Sequence, residues 1–317
     1  MSADEVSRAP AIEVRFPDIE PWARGNAGIP YVWTFEASRP GPHTVIQALT
    51  HGNEVCGAIA LDWALRKGLE PLRGRLTLCF ANVEAYHAFD AADPFASRCV
   101  QEDFNRLWSP EVLQSLRETA DLRRARELKP IYDSADTLLD LHSMTDPCVP
   151  LAMAGRHAKG IELARKVGIP EHIVVDAGHA AGKRLRDYAF FDDSGDPRAA
   201  LLIECGQHWE RAAAQVAREA VVRFLQGTEQ LDPSLALPPP RVRQRVLQVT
   251  HAITIRTDAF EFAVPVQGLA VIEHAQTVLA RDGDALIRTP YDRCVLVMPT
   301  RRPRVGETAV RLARYLD

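Results

Sequence analysis

Short apolar runs alternate with polar stretches of helical spacing over the first two thirds of the chain. Residues 44–49 are apolar and β-branched and stop at Thr50-His51-Gly52-Asn53, after which residues 54–67 repeat apolar positions with a helical period. This predicts a strand, a loop and a helix. Residues 75–80, 137–141 and 200–203 read as further strands, and residues 110–126 and 211–226 as helices. Strands alternating with helices predict an α/β fold whose mostly parallel or mixed central sheet is flanked by helices.

The pattern changes at Asp232-Pro233 and Pro238-Pro239-Pro240, where proline can continue neither a helix nor a central strand. Beyond it, residues 246–256, 260–266, 270–278 and 294–298 are strand-like and punctuated by turn residues. The expected division is an α/β domain over 1–232, a proline-rich linker over 233–240 and a small β-rich domain over 241–317.

Composition narrows the classes of function. With 317 residues, 46% hydrophobic and 25% charged, the chain can bury a substantial core. A formal net charge of -4 argues against a nucleic-acid partner. The start lacks the basic-then-apolar pattern of a secretory signal and no apolar run approaches a membrane span, so the expectation is a cytoplasmic protein with no membrane partner. The six cysteines are scattered without a Cys-x-x-Cys pair and read as reduced thiols. Cys205, beside Glu204, is read as a packing residue rather than a nucleophile because its strand is apolar.

Four polar clusters carry candidate chemistry. His51 and Glu54 stand three residues apart where a strand passes to a helix, so one turn can aim both at one point, and Gly52 allows the backbone a close approach or a positive φ. A lone His-x-x-Glu is nevertheless common by chance. His142 ends the apolar run of residues 138–141, at the place where open α/β sheets bind ligands. It completes a His, His, Glu set of the kind catalytic zinc uses. Asp140 is a candidate to orient a ligand, unless it faces away. Glu204 ends another apolar strand, where an unpartnered carboxylate is costly and a metal-activated water would give it work as a proton acceptor. Arg98, Asn105 and Arg106 are fork and amide donors suited to carboxylates or to a developing oxyanion, although taken by themselves they read as a solvated, charged loop.

The ordered set His51-Gly52-Asn53-Glu54, Asp103-Phe104-Asn105-Arg106, Asp140-Leu141-His142-Ser143 and Ile203-Glu204-Cys205-Gly206 resembles the succinylglutamate desuccinylase/aspartoacylase family of the zinc carboxypeptidase clan. The motifs span about residues 44–210. The resemblance implies one Zn2+ per chain held by His51, Glu54 and His142, with Glu204 as general base and acid. It implies further that Arg98 polarises the scissile carbonyl and that Asn105 and Arg106 grip the substrate's carboxylate. Phe104 stands where the family commonly has Leu. Tyr291 is a candidate for the tyrosine that closes over substrate in relatives, and Arg184, Arg186 and Arg198 are candidates for a second carboxylate clamp. His208, four residues beyond Glu204, is the remaining histidine to watch.

The function expected from these residues is hydrolysis of a small N-acyl amino acid, N-acylaspartate or N-succinylglutamate-like. Two alternatives stand beside it: a zinc carboxypeptidase acting on peptides, and a metal-binding protein with an inactive site. A C-terminal unit that caps the cleft favours small substrates; an open groove favours peptides. Assembly into homo-oligomers is left open by the sequence.

Overall fold

The computed structural model describes residues 10–179 and 181–316. Its strands are β1 (Val32–Glu36), β2 (His43–Ala48), β3 (Arg75–Phe80), β4 (Thr137–Met144), β5 (Leu151–Met153), β6 (His172–Val175) and β7 (Ala199–Gln207), followed by β8 (Arg245–Thr254), β9 (Phe260–Phe262), β10 (Val271–Ile272), β11 (Val278–Asp282), β12 (Ala285–Arg288), β13 (Cys294–Val297) and β14 (Thr308–Tyr315). The helices are α1 (Val55–Arg66), α2 (Val83–His87), α3 (Pro110–Leu113), α4 (Ala120–Asp133), α5 (Ala158–Val167) and α6 (Arg211–Gly227).

An 11-stranded mixed sheet runs in the order β1-β3-β2-β4-β7-β5-β6-β8-β14-β13-β10, and a separate three-stranded antiparallel sheet runs β12-β11-β9. Strands β3, β2, β4 and β7 are mutually parallel, so their carboxyl ends lie along one edge. Both faces of β2 and β7 are buried, which explains why they read as continuous apolar runs rather than alternating ones. On one face, α1 and α6 close a core around Ile46, Leu61, Leu201 and Val221. On the other, Trp108, Leu128 and Tyr132 pack over Val45 and Leu138. Each such fully buried aliphatic side chain contributes about 1.5–3 kcal/mol. Gly57 sets the distance of α1 from the sheet: a Cβ there would lie 2.9 Å from that of Ala48 and 3.0 Å from that of Leu141.

The structure departs from the sequence pattern at several points. The helix expected over 110–126 is two helices, because Ser109 caps α3 by accepting from the Val112 amide and Thr119 caps α4 by accepting from the Leu122 amide. Residues 270–278 are not one strand: Val271 and Ile272 form β10 and Val278 begins β11, with Gln276 at φ 61° turning the chain between them. Strand β9 ends at Phe262 rather than 266. Strands β1, β5, β6, β12 and β14 and helix α5 had no sufficient pattern.

The proline-rich segment lies along α6, where Arg223 and Gln226 donate to the carbonyls of Pro238 and Leu237. It leads into β8, which pairs in parallel with β6 and antiparallel with β14. The 11-stranded sheet thus takes strands from both sides of the change in composition at 233–240.

Candidate active site

His51 and Glu54 sit on the loop from β2 to α1. Strand β2 ends at Ala48, and Leu49, with φ 61°, turns the chain sharply. Gly52 does not use a positive φ; it is required because a Cβ there would collide with the backbone of Ala85 and Ser97. Glu54 is the N-cap residue of α1 but makes no capping bond with its side chain, so its carboxylate is free to face the sheet.

There it meets His142, near the carboxyl end of β4. The Nδ1 of His51 lies 2.7 Å from Glu54 Oε1 and the Nδ1 of His142 lies 2.9 Å from Glu54 Oε2. All three side chains are buried, and ligand atoms from the three lie within 4.8 Å of one another. The Ser143 amide donates to Glu54 Oε2 at 2.9 Å. Burial alone would raise the Glu54 carboxyl, but the two imidazoles hold it well below the usual carboxylate range.

The outer nitrogen of each ring faces an aspartate. His51 Nε2 is 2.9 Å from Asp103 Oδ1, and His142 Nε2 is 2.9 Å from Asp140 Oδ2, close but poorly aligned for a hydrogen bond. Asp140 and His142 are two residues apart on β4 and so share a face. The other oxygen of Asp140 accepts from Thr50 Oγ1 at 2.7 Å and Gln47 Nε2 at 3.2 Å. Carboxylates behind imidazoles orient metal-binding histidines and raise their basicity, and the donor set present here fits a divalent first-row ion.

Glu204 lies on β7 directly across from His142 in the parallel register. Its Oε2 is buried with no hydrogen-bond partner among the described residues. Burial pushes its carboxyl up to about 8, against the opposing pull of His142. Arg98 reaches the same point, with Nη1 3.3 Å from Glu54 Oε1 and Nη2 3.2 Å from Asp103 Oδ2. Asp103 is held well below its ordinary range by His51, Arg98 and Arg106 despite its burial. The Arg106 guanidinium donates to the Asn105 carbonyl, and Asn105 Oδ1 accepts from the Leu185 amide.

These groups line a cavity of about 480 Å3. Its wall is completed by Met144, Met153 and Leu202 from the sheet and by Met298, Thr300, Arg302, Arg304 and Arg311 from the C-terminal part. His51, Glu54, Arg98, Asn105, Arg106, His142 and Glu204 are thus brought together. Tyr291 is not: it packs beside Leu296 and Leu312, and its hydroxyl bonds Thr250 at 2.7 Å.

Arg184 borders the cavity but is committed to Asp176 at 2.7 and 3.0 Å and to Asp187 at 2.6 Å. Arg186 is buried against Asp187 and two carbonyls, and Arg198, partly exposed, pairs with Asp196 and stacks on the Phe190 ring; neither lines the cavity. His208 is buried behind it, bonded to Ser143 and Thr145, and burial pushes its imidazole down to about 4. Burial also holds the Cys205 thiol well above its ordinary range. Sequence reasoning gave no role to Asp103, although it sits in a quoted motif, and missed His179 and Arg311 on the cavity wall. Neither of the last two carries a local signal.

Comparison with known proteins bears on the fold and the family. The profile of the succinylglutamate desuccinylase/aspartoacylase catalytic domain matches residues 40–227. Curated protein sequences gave no significant match. Among solved structures, a succinylglutamate desuccinylase from Vibrio parahaemolyticus superposes with a TM-score of 0.68 at 17% identity, covering 91% of this chain and 87% of that one. A succinylglutamate desuccinylase/aspartoacylase from Rhodobacter sphaeroides gives 0.62 at 17% identity over 90% and 89%. The product-bound ectoine utilization protein EutE (DoeB) of Ruegeria pomeroyi gives 0.61 at 16% identity over 89% and 87%. At such identities the superpositions speak for the fold, while the domain profile, which spans more than half of the chain, speaks for descent. The chain belongs to the succinylglutamate desuccinylase/aspartoacylase family, hydrolases that act on N-acyl amino acids.

Proposed function

We propose that this protein is a zinc-dependent amidohydrolase that cleaves a small N-acyl amino acid, N-acylaspartate or N-succinylglutamate-like, into a carboxylate and a free amino acid. His51, Glu54 and His142 would hold the ion. When bound, it supplies electrophilic activation of the carbonyl and lowers the pKa of the attacking water.

The chain's own groups do the rest. Glu204 takes a proton from water as the oxygen attacks the acyl carbon, and returns it to the nitrogen as the carbon–nitrogen bond breaks. Arg98 donates to the carbonyl oxygen as negative charge grows there. Asn105 and Arg106 orient the amino acid through its carboxylate. The observation that carries this reading is Glu204, a buried carboxylate with an unpartnered oxygen, in register with a candidate metal ligand.

Residues of the C-terminal part form one wall of the cavity, which supports a small substrate over an extended peptide. The test is a metal assay on purified protein, followed by a screen of N-acetyl, N-succinyl and longer N-acyl amino acids for release of free amine. Stoichiometric zinc and activity on one acyl class are expected; cleavage of peptides alone would replace this reading with the carboxypeptidase one.

A further inference from the structure

The loop that carries Arg98 and Asp103 into the cavity has no regular structure to hold it. Residues 99–103 belong to neither helix nor strand, so no ladder of backbone bonds fixes them. At one end the loop is tied to the turn between His51 and Glu54, where the Gly52 amide donates to the Arg98 carbonyl at 3.1 Å. Its middle is held by a carboxylate outside the cavity.

That carboxylate is Asp121, in the first turn of α4, 1% exposed and absent from the cavity wall. Its Oδ2 accepts from the amides of Gln101 at 2.7 Å and Glu102 at 3.0 Å, and its Oδ1 accepts from the Val100 amide at 3.2 Å. The same Oδ1 accepts from Asn82 Nδ2 at 2.7 Å, and Asn82 is itself fixed as the N-cap of α2. All four partners are neutral N–H groups. Burying a carboxylate is costly unless donors replace its water, and three consecutive amides with one side-chain amide do so here. An ionised carboxylate suits the task because it accepts on both oxygens and carries no donor of its own. The neighbouring contacts run the same way: Gln101 Oε1 accepts from the Ala120 amide at 2.6 Å, and Glu102 accepts from the Thr119 hydroxyl and, at 2.8 Å, from Arg117. The start of α4 is thus a mount for residues 100–102, with Arg98 just before them and Asp103 just after.

We propose that Asp121 is a positioning residue for the reaction. By fixing the backbone of Val100, Gln101 and Glu102 it sets where the Arg98 guanidinium meets the carbonyl oxygen and where the Asp103 carboxylate backs His51. Arg98 Nη2 bonds Asp103 at 3.2 Å, so the two shift together. The role given to Arg98 rests on the amidohydrolase reading. Because Arg98 is matched to charge that grows in the transition state, its displacement lowers kcat rather than raising KM. Asn105 lies beyond the mount and has its own anchor in the Leu185 amide.

The test is Asp121→Asn in the zinc-loaded full chain. The substitution keeps the size but turns an NH2 group toward N–H donors on one side, so at least one of the bonds is lost. The expected result is a fall in kcat of at least about tenfold, with KM within about threefold of wild type and zinc still stoichiometric. Fragment-resolved hydrogen exchange should quicken over residues 98–104 while β2 and β4 stay as protected as in wild type. Unchanged kcat, a rise in KM with kcat kept, loss of zinc, or unchanged exchange of the loop would each overturn the proposal. If Asp121→Asn does not fold, Asp121→Glu is read in the same way, because one added methylene moves both oxygens, and wild-type kcat in that variant overturns it. Absence of amine release by wild type from every N-acyl amino acid would instead remove the amidohydrolase reading, and the exchange comparison would still decide whether Asp121 holds the loop.

Discussion

The carboxyl ends of β2, β4 and β7 and the strands beyond residue 240 contribute to one cavity in opposite ways. In the first region nearly every polar group is held from two sides: His51 by Glu54 and Asp103, His142 by Glu54 and Asp140, Asp140 by Thr50 and Gln47. In the second the cations are held loosely. Arg302 lies 3.8 Å from Asp146 and over the Phe95 ring, and Arg311 has only its 3.9 Å contact with Asp176. Groups locked on several sides cannot adapt to a ligand and suit chemistry that needs fixed geometry, whereas weakly held charges retain capacity for an incoming anion.

The largest expected effect breaks the first region. His142→Ala should lose the metal itself and with it activity to background, read by metal analysis of the purified protein; stoichiometric zinc in that variant would overturn the ligand assignment. Next, Glu204→Gln should keep zinc and the fold but lower kcat by about 10²–10⁴-fold. Retained turnover there would end the proposed proton transfer.

A third, smaller effect uses pH. Burial raises the Glu204 carboxyl from 4.5 to about 8, so between those values the folded chain binds a proton that the unfolded chain has released. Stability of the metal-free protein should therefore fall from pH about 4.5 to 8 through this group and level off above. Denaturant unfolding across that window should show stability falling more steeply with pH in wild type than in Glu204→Gln; identical slopes would contradict it. The smallest effect sharpens the contrast from the other side. Tyr291→Phe should change kcat/KM by no more than about twofold, because the hydroxyl is spent on Thr250 away from the cavity. A large loss would mean that the tyrosine moves into the cavity on binding.

Much of the site was legible because its residues interrupt strong local patterns. His51, His142 and Glu204 are polar residues at the ends of apolar strands, and a chain that ends buried strands with ionisable groups reveals where it binds something. The strands that announce themselves this way, β2, β3, β4 and β7, are those buried on both faces. Strands β5 and β6 are too short for a period to show, and β14 mixes Arg311 into an apolar run. The break between α3 and α4 was concealed because caps at Ser109 and Thr119 are single residues inside a polar stretch that keeps helical spacing.

By itself the sequence determined the parallel strand-helix frame, the residue types of the candidate metal set and the family. It could do so because burial and periodicity act over a few neighbouring residues. Only the tertiary structure decided which aspartate backs which imidazole, that the proline-rich segment leads into the same sheet, that Arg184 is spent on Asp176, and that Arg311 is not. Each of these depends on which groups, far apart in the chain, compete for one partner, and no local pattern records that competition.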